Sequence, residues 1–330
     1  MPAHVSSLKP TAALPTATLP AQPGPLASTR MVGALCMLVA AAAWGGMFPV
    51  AKSALVHIDA YAMTVIRYGI TAVLMALLLW QLEGRAALRT DGKLLPAFIF
   101  GSIGFAGFSL LAFNGLRHTT PTHAAVLAAL MPLLTALCNA VLARSLPPMA
   151  TRISIGLALA GVLLVVSHGD LHSLVSGGSA WGDLLVFLGG LSWVVYTLGA
   201  RRFPSWSPLR YTTVTVLAGF VGILLVSIAA WLLDAAHVPS RENLAAITPE
   251  LVYIVLIGSL AAVLSWNAGI ARLGPVDGVL FINFVPVTTF AIQASRGVPI
   301  TGWEVAGGVL VAAALLFNTA MQKRSARRAG

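Results

Sequence analysis

Long apolar runs, rather than alternating apolar and polar positions, dominate this chain after its first thirty residues. The runs are 17 to 25 residues long and are separated by short polar gaps. A helix needs about 20 apolar residues to cross a hydrocarbon core of about 30 Å, whereas the strands of a membrane barrel alternate over about ten residues each. Because a lipid-exposed backbone must satisfy its own hydrogen bonds, the pattern predicts an all-α integral membrane protein.

Ten segments fit this pattern, and we predict a transmembrane helix in each of them. They are residues 31–55, 61–82, 94–116, 120–143, 152–168, 180–201, 211–234, 250–271, 276–297 and 302–321. Only four residues separate the eighth segment from the ninth, so these two are predicted to form an antiparallel hairpin. We expect residues 1–30, rich in Pro, Ala, Ser and Thr, to be a disordered tail, and residues 322–330 to be a basic cytoplasmic tail.

The same five-helix unit occurs twice along the chain. A stretch that begins at Thr120 is echoed by one that begins at Gly274, and one displacement of the sequence superposes two prolines of each. The matched pairs are Pro121 with Pro275, Pro132 with Pro286, His123 with Asp277, Gly115 with Gly269 and, at nearly the same displacement, Trp44 with Trp193 and Lys52 with Arg201. We therefore predict two repeats, residues 31–168 and residues 180–321.

Composition favours lipid over water as the solvent of this chain. Apolar residues make up 58% of it and charged residues only 9%, against about 25% charged residues in a typical soluble domain. The net charge is +10, but the basic residues form no patch interleaved with aromatic residues, so we predict the lipid bilayer and not nucleic acid as partner. Cys36 and Cys138 lie inside apolar runs, where thiols act as small hydrophobes, and no disulfide, metal or cofactor is predicted.

The positions of Lys and Arg predict how the chain is oriented. With the N-terminus in the cytoplasm, thirteen basic residues fall in cytoplasmic gaps or the C-terminal tail, and three fall in the opposite gaps. The thirteen are Arg85, Arg89, Lys93, Arg144, Arg152, Arg201, Arg202, Arg210, Arg272, Lys323, Arg324, Arg327 and Arg328; the three are Arg117, Arg241 and Arg296. We therefore predict a multi-pass protein of the plasma (inner) membrane with both termini cytoplasmic. Five helices, an odd number, invert the second repeat relative to the first, an arrangement common in secondary transporters.

Several short motifs resemble the two EamA-type units of the drug/metabolite transporter superfamily. They are Ala43-Trp44-Gly45-Gly46, Gly156-Leu157 with Gly161-Val162, Gly182-Asp183, Leu191-Ser192-Trp193, Trp266-Asn267-Ala268-Gly269-Ile270, Gly274-Pro275 and Asn283-Phe284-Val285-Pro286-Val287. The resemblance covers about residues 31–321. It implies a ten-helix bundle that moves small metabolites across the plasma membrane, often as an exporter, and it leaves the substrate undefined.

Aromatic residues near the middle of two matched helices are candidates for a substrate site. Trp44 and Trp193 occupy equivalent positions in the first and sixth predicted helices, although Trp usually prefers the membrane interfaces. Tyr196 follows Trp193 at helical spacing. We hypothesise that these rings line an amphipathic site between the repeats; simple packing between helices is the alternative.

Amides and prolines within apolar helices form a second group of candidates. Asn114, Asn267 and Asn283 either contact substrate along its pathway or hydrogen-bond helices to one another. Pro132 and Pro286 each leave a backbone carbonyl without its usual partner, so each predicts a hinge or a permanent kink.

Charged residues inside the predicted spans form the third group. Arg67 lies in the second helix and has no arginine counterpart in the second repeat, which suggests that it closes the outer side or attracts an acidic group. Lys52 either has a functional role, as charges inside spans often do, or extends its side chain to the lipid headgroups. His123 and Asp277 are either gate residues or ordinary residues at helix starts that face water.

The function predicted from these features is secondary transport of a small molecule. We expect an exporter of a small metabolite, such as an amino acid or an amphipathic compound, that works by alternating access. No acidic residue lies in the middle of a predicted span, which favours facilitated diffusion or loose exchange over proton coupling. The sequence has no GxxxxGK[ST] motif, so this chain alone is not an ATP-driven pump.

Two other functions stay open from the sequence. A membrane-embedded enzyme needs a cluster of acidic, His or Cys side chains, and only His168 and His172 approach that pattern. A non-transporting membrane scaffold has no evident use for two inverted repeats. The sequence leaves both a monomer and a homodimer open.

Overall fold

The computed structural model describes residues 27–170, 179–274 and 278–329, and all regular secondary structure in these ranges is helical. This confirms the all-helical prediction. The long helices are α1 (Ala27–Ala54), α2 (Ala60–Glu83), α3 (Leu94–His118), α4 (Pro121–Ala129 and Met131–Leu142), α5 (Met149–Ser167), α6 (Ala180–Gly199), α7 (Pro208–Leu232), α8 (Thr248–Leu273), α9 (Phe284–Ser295, after the 3₁₀ turn Val279–Asn283) and α10 (Gly302–Ala329). Short helices also occur at Arg85–Leu88, Ala200–Arg202 and Arg241–Ala246.

Eight of the described helices are long and apolar enough to cross a membrane: α1, α2, α3, α5, α6, α7, α8 and α10. The two halves of α4 would supply a ninth span if they act together. The apolar helix Phe281–Ser295, which contains α9, is shorter than these spans. The chain is therefore a multi-pass membrane protein, whereas the number of ten crossings stays a prediction.

Some helix bounds differ from those predicted. The helix α1 already begins at Ala27, within the predicted tail, and α10 continues to Ala329, through the predicted basic tail. Apolarity indicates which part of a helix lies in lipid, but a helix can continue into water. The ninth predicted helix is a 3₁₀ turn followed by α9, and Pro275 and Asp277 lie outside the described residues.

Irregular helical geometry occurs at matched positions of the two repeats. A π-helical segment interrupts α3 at Ser102–Gly107, and another interrupts α8 at Tyr253–Ala261. The helix α4 bends by 41° between its halves, just before Pro132, and α9 starts two residues before Pro286. Proline removes a helical hydrogen bond and clashes with the preceding turn, which explains both interruptions.

Packing between the repeats is reciprocal. The helix α1 packs on α8 and α9 of the second repeat, and its counterpart α6 packs on α3 and α4 of the first. Glycines permit the close crossings: a Cβ on Gly182 would lie 2.6 Å from the carbonyl oxygen of Gly115, and a Cβ on Gly269 would lie 3.1 Å from that of Gly33. These two crossings are equivalent, because Gly115 matches Gly269 and Gly33 matches Gly182 at nearly the same displacement of the sequence.

Equivalent helices of the two repeats pack side by side, α2 on α7 and α5 on α10. Hydrogen bonds within each pair connect the start of one helix with the second half of its partner or with the connection that follows it. They are Ser207 Oγ to Glu83 Oε1 (2.6 Å), His237 N to Asp59 Oδ2 (2.8 Å) and Thr151 Oγ1 to Asn318 Oδ1 (2.8 Å). Equivalent helices therefore run antiparallel.

The bundle is closed at one end and covered by apolar side chains on its sides. Phe48, Leu55, Met63, Phe113 and Leu116 are buried together where α1 ends and α2 begins. Large aliphatic side chains along the helices are exposed, for example on α2, α7 and α10. Such exposure costs about 25 cal/mol per Å² in water but not in lipid, so the surface suits a bilayer.

Candidate functional site

Two adjoining cavities lie between the repeats. The first has a volume of about 120 Å³ and the second a volume of about 530 Å³. Six residues border both of them: Trp44, Met131, Trp193, Thr212, Val263 and Ile282. Both central tryptophans are among the six, so the helices of the two repeats that were matched by sequence meet at the junction of the cavities.

The first cavity is an aromatic pocket with one charge. Arg67 of α2 borders it together with Tyr68, Phe105 and Phe108. The Arg67 side chain is buried, with 5% of the residue exposed. This pocket lies next to the apolar core that closes one end of the bundle, since Phe48 belongs to both.

The second cavity continues from the first toward the opposite end of the bundle. Besides Trp44 and Trp193, three predicted residues border it, namely Pro132, Tyr196 and Asn267. Trp206, which lies in the connection before α7, and Gln322, near the end of α10, also border it. This is the end of the molecule that carries the basic connection at residues 200–210 and the basic C-terminal residues.

The two central tryptophans are held differently. The indole N–H of Trp44 donates to the carbonyl oxygen of Gly258 at 3.1 Å, and its ring lies 5.2 Å from that of Trp266. The ring of Trp193 packs instead on Phe105 and Tyr196, with centroids 5.9 and 5.0 Å apart. Both rings border the cavities while fixed by neighbours, as residues of a preformed site would be.

The π-helical segment of α8 fixes the orientation of Arg67. Ser259 lies in this segment, and its hydroxyl donates to the carbonyl oxygen of Ile254 at 2.9 Å. The same hydroxyl oxygen accepts a hydrogen bond from Nε of Arg67 at 2.8 Å. Gly258, the acceptor for Trp44, is the preceding residue. One irregular segment therefore positions both Arg67 and Trp44, and π-segments often occur at functional sites.

Arg67 has no acidic partner among the described residues. Its guanidinium carbon lies 4.8 Å from the ring centroid of Tyr68 and 5.5 Å from that of Phe113, at cation–π distances. Its Nη1 is buried and makes no hydrogen bond within that part of the chain. A buried charge without a counterion is costly, so a group that brings negative charge would bind favourably here.

Tyr196 belongs to a hydrogen-bonded pair of tyrosines beside the second cavity. Its ring stacks on that of Tyr211 with centroids 5.0 Å apart, and the Tyr211 hydroxyl donates to the Tyr196 carbonyl oxygen at 2.7 Å. The hydroxyl of Tyr196 lies 3.3 Å from Oγ1 of Thr215. These contacts tie α6 to α7.

Other predicted pathway residues do not border the cavities. The amide of Asn114 donates to the carbonyl oxygen of Leu110 in its own helix at 2.8 Å. Asn283 ends the 3₁₀ turn and follows Ile282, which does border both cavities. Pro286 is buried in the first turn of α9.

Lys52 binds the end of a neighbouring helix. Its ammonium donates to the carbonyl oxygens of Leu116, Arg117 and Thr119 at 2.6, 3.1 and 3.0 Å. These carbonyls lie at the C-terminal end of α3, where a positive charge is favourable. The side chain therefore joins α1 to α3.

His123 and Asp183 form a buried hydrogen-bonded pair outside both cavities. Nδ1 of His123 lies 3.2 Å from each carboxylate oxygen of Asp183, and the Thr119 hydroxyl also donates to Asp183. His123 and Asp183 are 2% and 6% exposed. The ring of His168 lies 5.4 Å from that of His123, whereas His172 is outside the described residues.

Sequence reasoning did not select several residues that the fold brings together. Tyr68, Phe105 and Phe108 are aromatic residues in apolar helices, and nothing in the sequence distinguishes them from aromatic residues that face lipid. Ser259 is an ordinary helical serine until the π-segment turns it toward Arg67. Asp183 was named as part of a family motif, and its pairing with His123, 60 positions away, depends on tertiary structure.

Sequence comparison matches both repeats to one family. The model of the EamA-like transporter family matches residues 31–167 and again residues 180–320. The uncharacterized transporter YrdR of Bacillus subtilis is 36% identical over 299 residues, which cover 89% of this chain and 92% of YrdR. The uncharacterized transporter YyaM of the same organism is 30% identical over 269 residues, covering 81% and 87% of the two chains.

More distant similarity is consistent with this match. An uncharacterized transporter of Archaeoglobus fulgidus is 26% identical over 303 residues, covering 89% of this chain and 98% of its own. A crystal structure of a protein aligns with a TM-score of 0.60 and 21% identity over 90% of this chain and 98% of its own. At that identity the structural match shows the fold alone.

Proposed function

This chain belongs to the EamA-like transporter family of the drug/metabolite transporter superfamily, and from that premise we propose that it is a secondary transporter that exports a small metabolite by alternating access. It is a membrane transporter of a small molecule by family membership. The proposal adds the direction, the mechanism and the location in the plasma membrane.

The observation that carries this proposal is the pair of cavities between the repeats. Residues of both repeats border them, and the two tryptophans stand where the cavities meet. The apolar core is buried where α1 ends and α2 begins, while the larger cavity reaches Trp206 and Gln322. Alternating access requires a central site that is open to one side at a time, and this arrangement has the form of an inward-facing state.

The orientation and the inverted repeat belong to the same proposal. The antiparallel packing of equivalent helices supports two five-helix repeats of opposite orientation, with ten crossings in all. The excess of Lys and Arg supports a cytoplasmic location for both termini and for the open end of the larger cavity. Substrate would then enter from the cytoplasm, as an exporter requires.

The interrupted helices are the proposed moving parts. Pro132 lies at the 41° bend of α4 and borders the larger cavity, and Pro286 lies at the equivalent place in α9. Rocking of one repeat against the other would change the bend at both prolines. A bend that lacks a helical hydrogen bond is a suitable hinge, because fewer backbone hydrogen bonds break when the angle of the helix changes.

Transport by purified protein in liposomes tests the proposal. We expect counterflow of at least one member of a labelled panel of amino acids, amphipathic carboxylates and amines. Trp44→Ala should lower that flux about tenfold or more, because the ring borders both cavities. A loss of about 1.4 kcal/mol in the free energy of substrate binding already lowers affinity tenfold.

The matched control is Trp181→Ala, which removes a tryptophan of α6 that is 59% exposed and borders neither cavity. This variant should transport like the wild type. If folded Trp44→Ala and Trp181→Ala proteins carry the same flux, the central cavities are not the substrate pathway.

A further inference from the structure

Arg67 is an isolated positive charge in the first cavity. Among the described residues that border this cavity, no other side chain is charged, and no acidic side chain borders either cavity. Arg67 is 5% exposed, its Nε is engaged by Ser259, and its Nη1 is buried without a hydrogen-bond partner. An unpaired guanidinium beside a cavity is a site prepared for an anion.

We propose that this pocket binds a carboxylate group of the transported molecule at Arg67 and an apolar or aromatic body against the surrounding rings. The substrate class is a small carboxylate with one net negative charge. This inference rests on the proposed transport function and names the substrate class of the same site.

The charge count favours a monoanion. One guanidinium neutralises one carboxylate, and the neutral pair can then lie in a low-dielectric environment. A dianion such as a phosphate monoester or a dicarboxylate would leave an unbalanced negative charge next to apolar side chains. Burying this unbalanced charge would be costly, because an unpaired charge inside a membrane protein is unfavourable.

The position of the guanidinium favours a carboxylate. Arginine offers a planar fork of donors that matches two carboxylate oxygens. The bond from Nε to Ser259 and the cation–π contact with Tyr68 orient that fork, and Nη1 is buried without a hydrogen-bond partner among the described residues. The side chain is therefore oriented before the substrate arrives, which lowers the entropic cost of binding.

The rest of the cavity favours an apolar body. Tyr68, Phe105, Phe108 and Trp193 surround the pocket, with Met47 on another side. Aromatic and thioether groups bind hydrocarbon and ring systems by contact rather than by hydrogen bonds. An amine has no carboxylate to bind in the described lining and would be repelled by Arg67.

Binding of three matched probes tests the inference on the purified protein. 3-Phenylpropionate, 3-phenylpropan-1-ol and 3-phenylpropylamine share one body and differ in charge, and their binding can be followed by calorimetry or tryptophan fluorescence. We expect the wild type to bind the acid about tenfold to a hundredfold more tightly than the alcohol, and the amine most weakly.

Three variants separate the effect of the charge on binding from the effect of the fold. Arg67→Gln should bind the alcohol as the wild type does but lose the preference for the acid. Arg67→Lys should keep part of that preference, because the charge remains while the fork is lost. Ser259→Ala, which leaves the charge in place but frees Nε, should weaken acid binding several-fold without abolishing it.

Failure of this inference is distinguishable from failure of the proposed function. If the wild type binds acid and alcohol equally, or if Arg67→Gln keeps the preference, the carboxylate site is refuted, whatever the liposomes transport. If the acid binds through Arg67 but the wild type transports no probe, the site stands and the transport function fails. An alcohol or amine bound more tightly than the acid would also refute the site.

Discussion

Arg67 and the pair His123–Asp183 are both buried ionisable groups in a membrane protein, yet their surroundings differ. Nδ1 of the imidazole lies 3.2 Å from the carboxylate, and the Thr119 hydroxyl also donates to that carboxylate. Arg67 has a serine, two aromatic rings and a cavity around it, but no carboxylate among the described residues. The pair lies outside both cavities, whereas Arg67 borders one of them.

The difference indicates which charge is structural and which awaits a ligand. A charge with a permanent partner is satisfied in every state in which its helices stay together, so the pair joins α4 to α6. A charge without a partner is tolerated where function needs it, and its counterion can arrive with the substrate. Three measurements test this distinction between a structural pair and a ligand-binding charge.

Removal of one member of the pair should have the largest effect. His123→Leu leaves the Asp183 carboxylate buried, with the Thr119 hydroxyl still donating a hydrogen bond to it. We therefore expect the free energy of unfolding to fall by about 3–5 kcal/mol. Denaturant titration in mixed micelles measures this. The double variant His123→Leu/Asp183→Leu should recover most of the loss, because no buried charge remains. A double variant as unstable as the single one contradicts the interpretation of the pair.

The membrane potential should have the next largest effect. If the substrate is a monoanion and no proton accompanies it, a potential of 100 mV, negative inside, contributes about 2.3 kcal/mol to export. The outward concentration ratio of 3-phenylpropionate across liposomes should then rise about fiftyfold per 100 mV. A potassium gradient with valinomycin sets the potential at equal pH on both sides.

The control for that experiment is His123→Gln in liposomes, with protein-free liposomes to subtract passive leak. The variant should show the same dependence on potential, since His123 borders neither cavity. Flux that requires an imposed pH gradient, and loses that requirement in His123→Gln, would place the pair in the transport cycle.

Loss of the unpaired charge should have the smallest effect on stability. Arg67→Met removes one hydrogen bond and two cation–π contacts, each worth about 1 kcal/mol, but also removes a buried charge without a counterion. We expect the free energy of unfolding to change by no more than about 1 kcal/mol in the same micelles. A loss as large as that of His123→Leu would show that Arg67 is a structural residue.

The sequence predicted the general plan of the fold from features that are local along the chain. Apolar runs of sufficient length predict helices in lipid because the bilayer leaves the backbone no other partner. The matched prolines also identified where α4 and α9 are interrupted, since proline acts on its own helix. The repeats of residues 31–168 and 180–321 were visible because one displacement superposes their unusual residues.

The candidate site was predicted only in part. Trp44 and Trp193 were selected because tryptophan is unusual in the middle of a membrane helix, and Arg67 was selected because a charged side chain is unusual there. Asn114 was chosen by the same reasoning, but its amide bonds to its own helix. Polarity along the sequence does not reveal the direction in which a side chain points, since that depends on the rotation of each helix.

By itself, the sequence determined that this protein is a helical membrane protein built from two related units, because length, apolarity and repetition are properties of the chain. Only the tertiary structure decided that the π-segment of α8 holds Arg67 beside a cavity, while His123 meets Asp183 away from it. Both outcomes depend on which helices cross, and at what level they cross. Those choices are made by packing between residues far apart in the chain, where glycines such as Gly115 and Gly182 allow close approach.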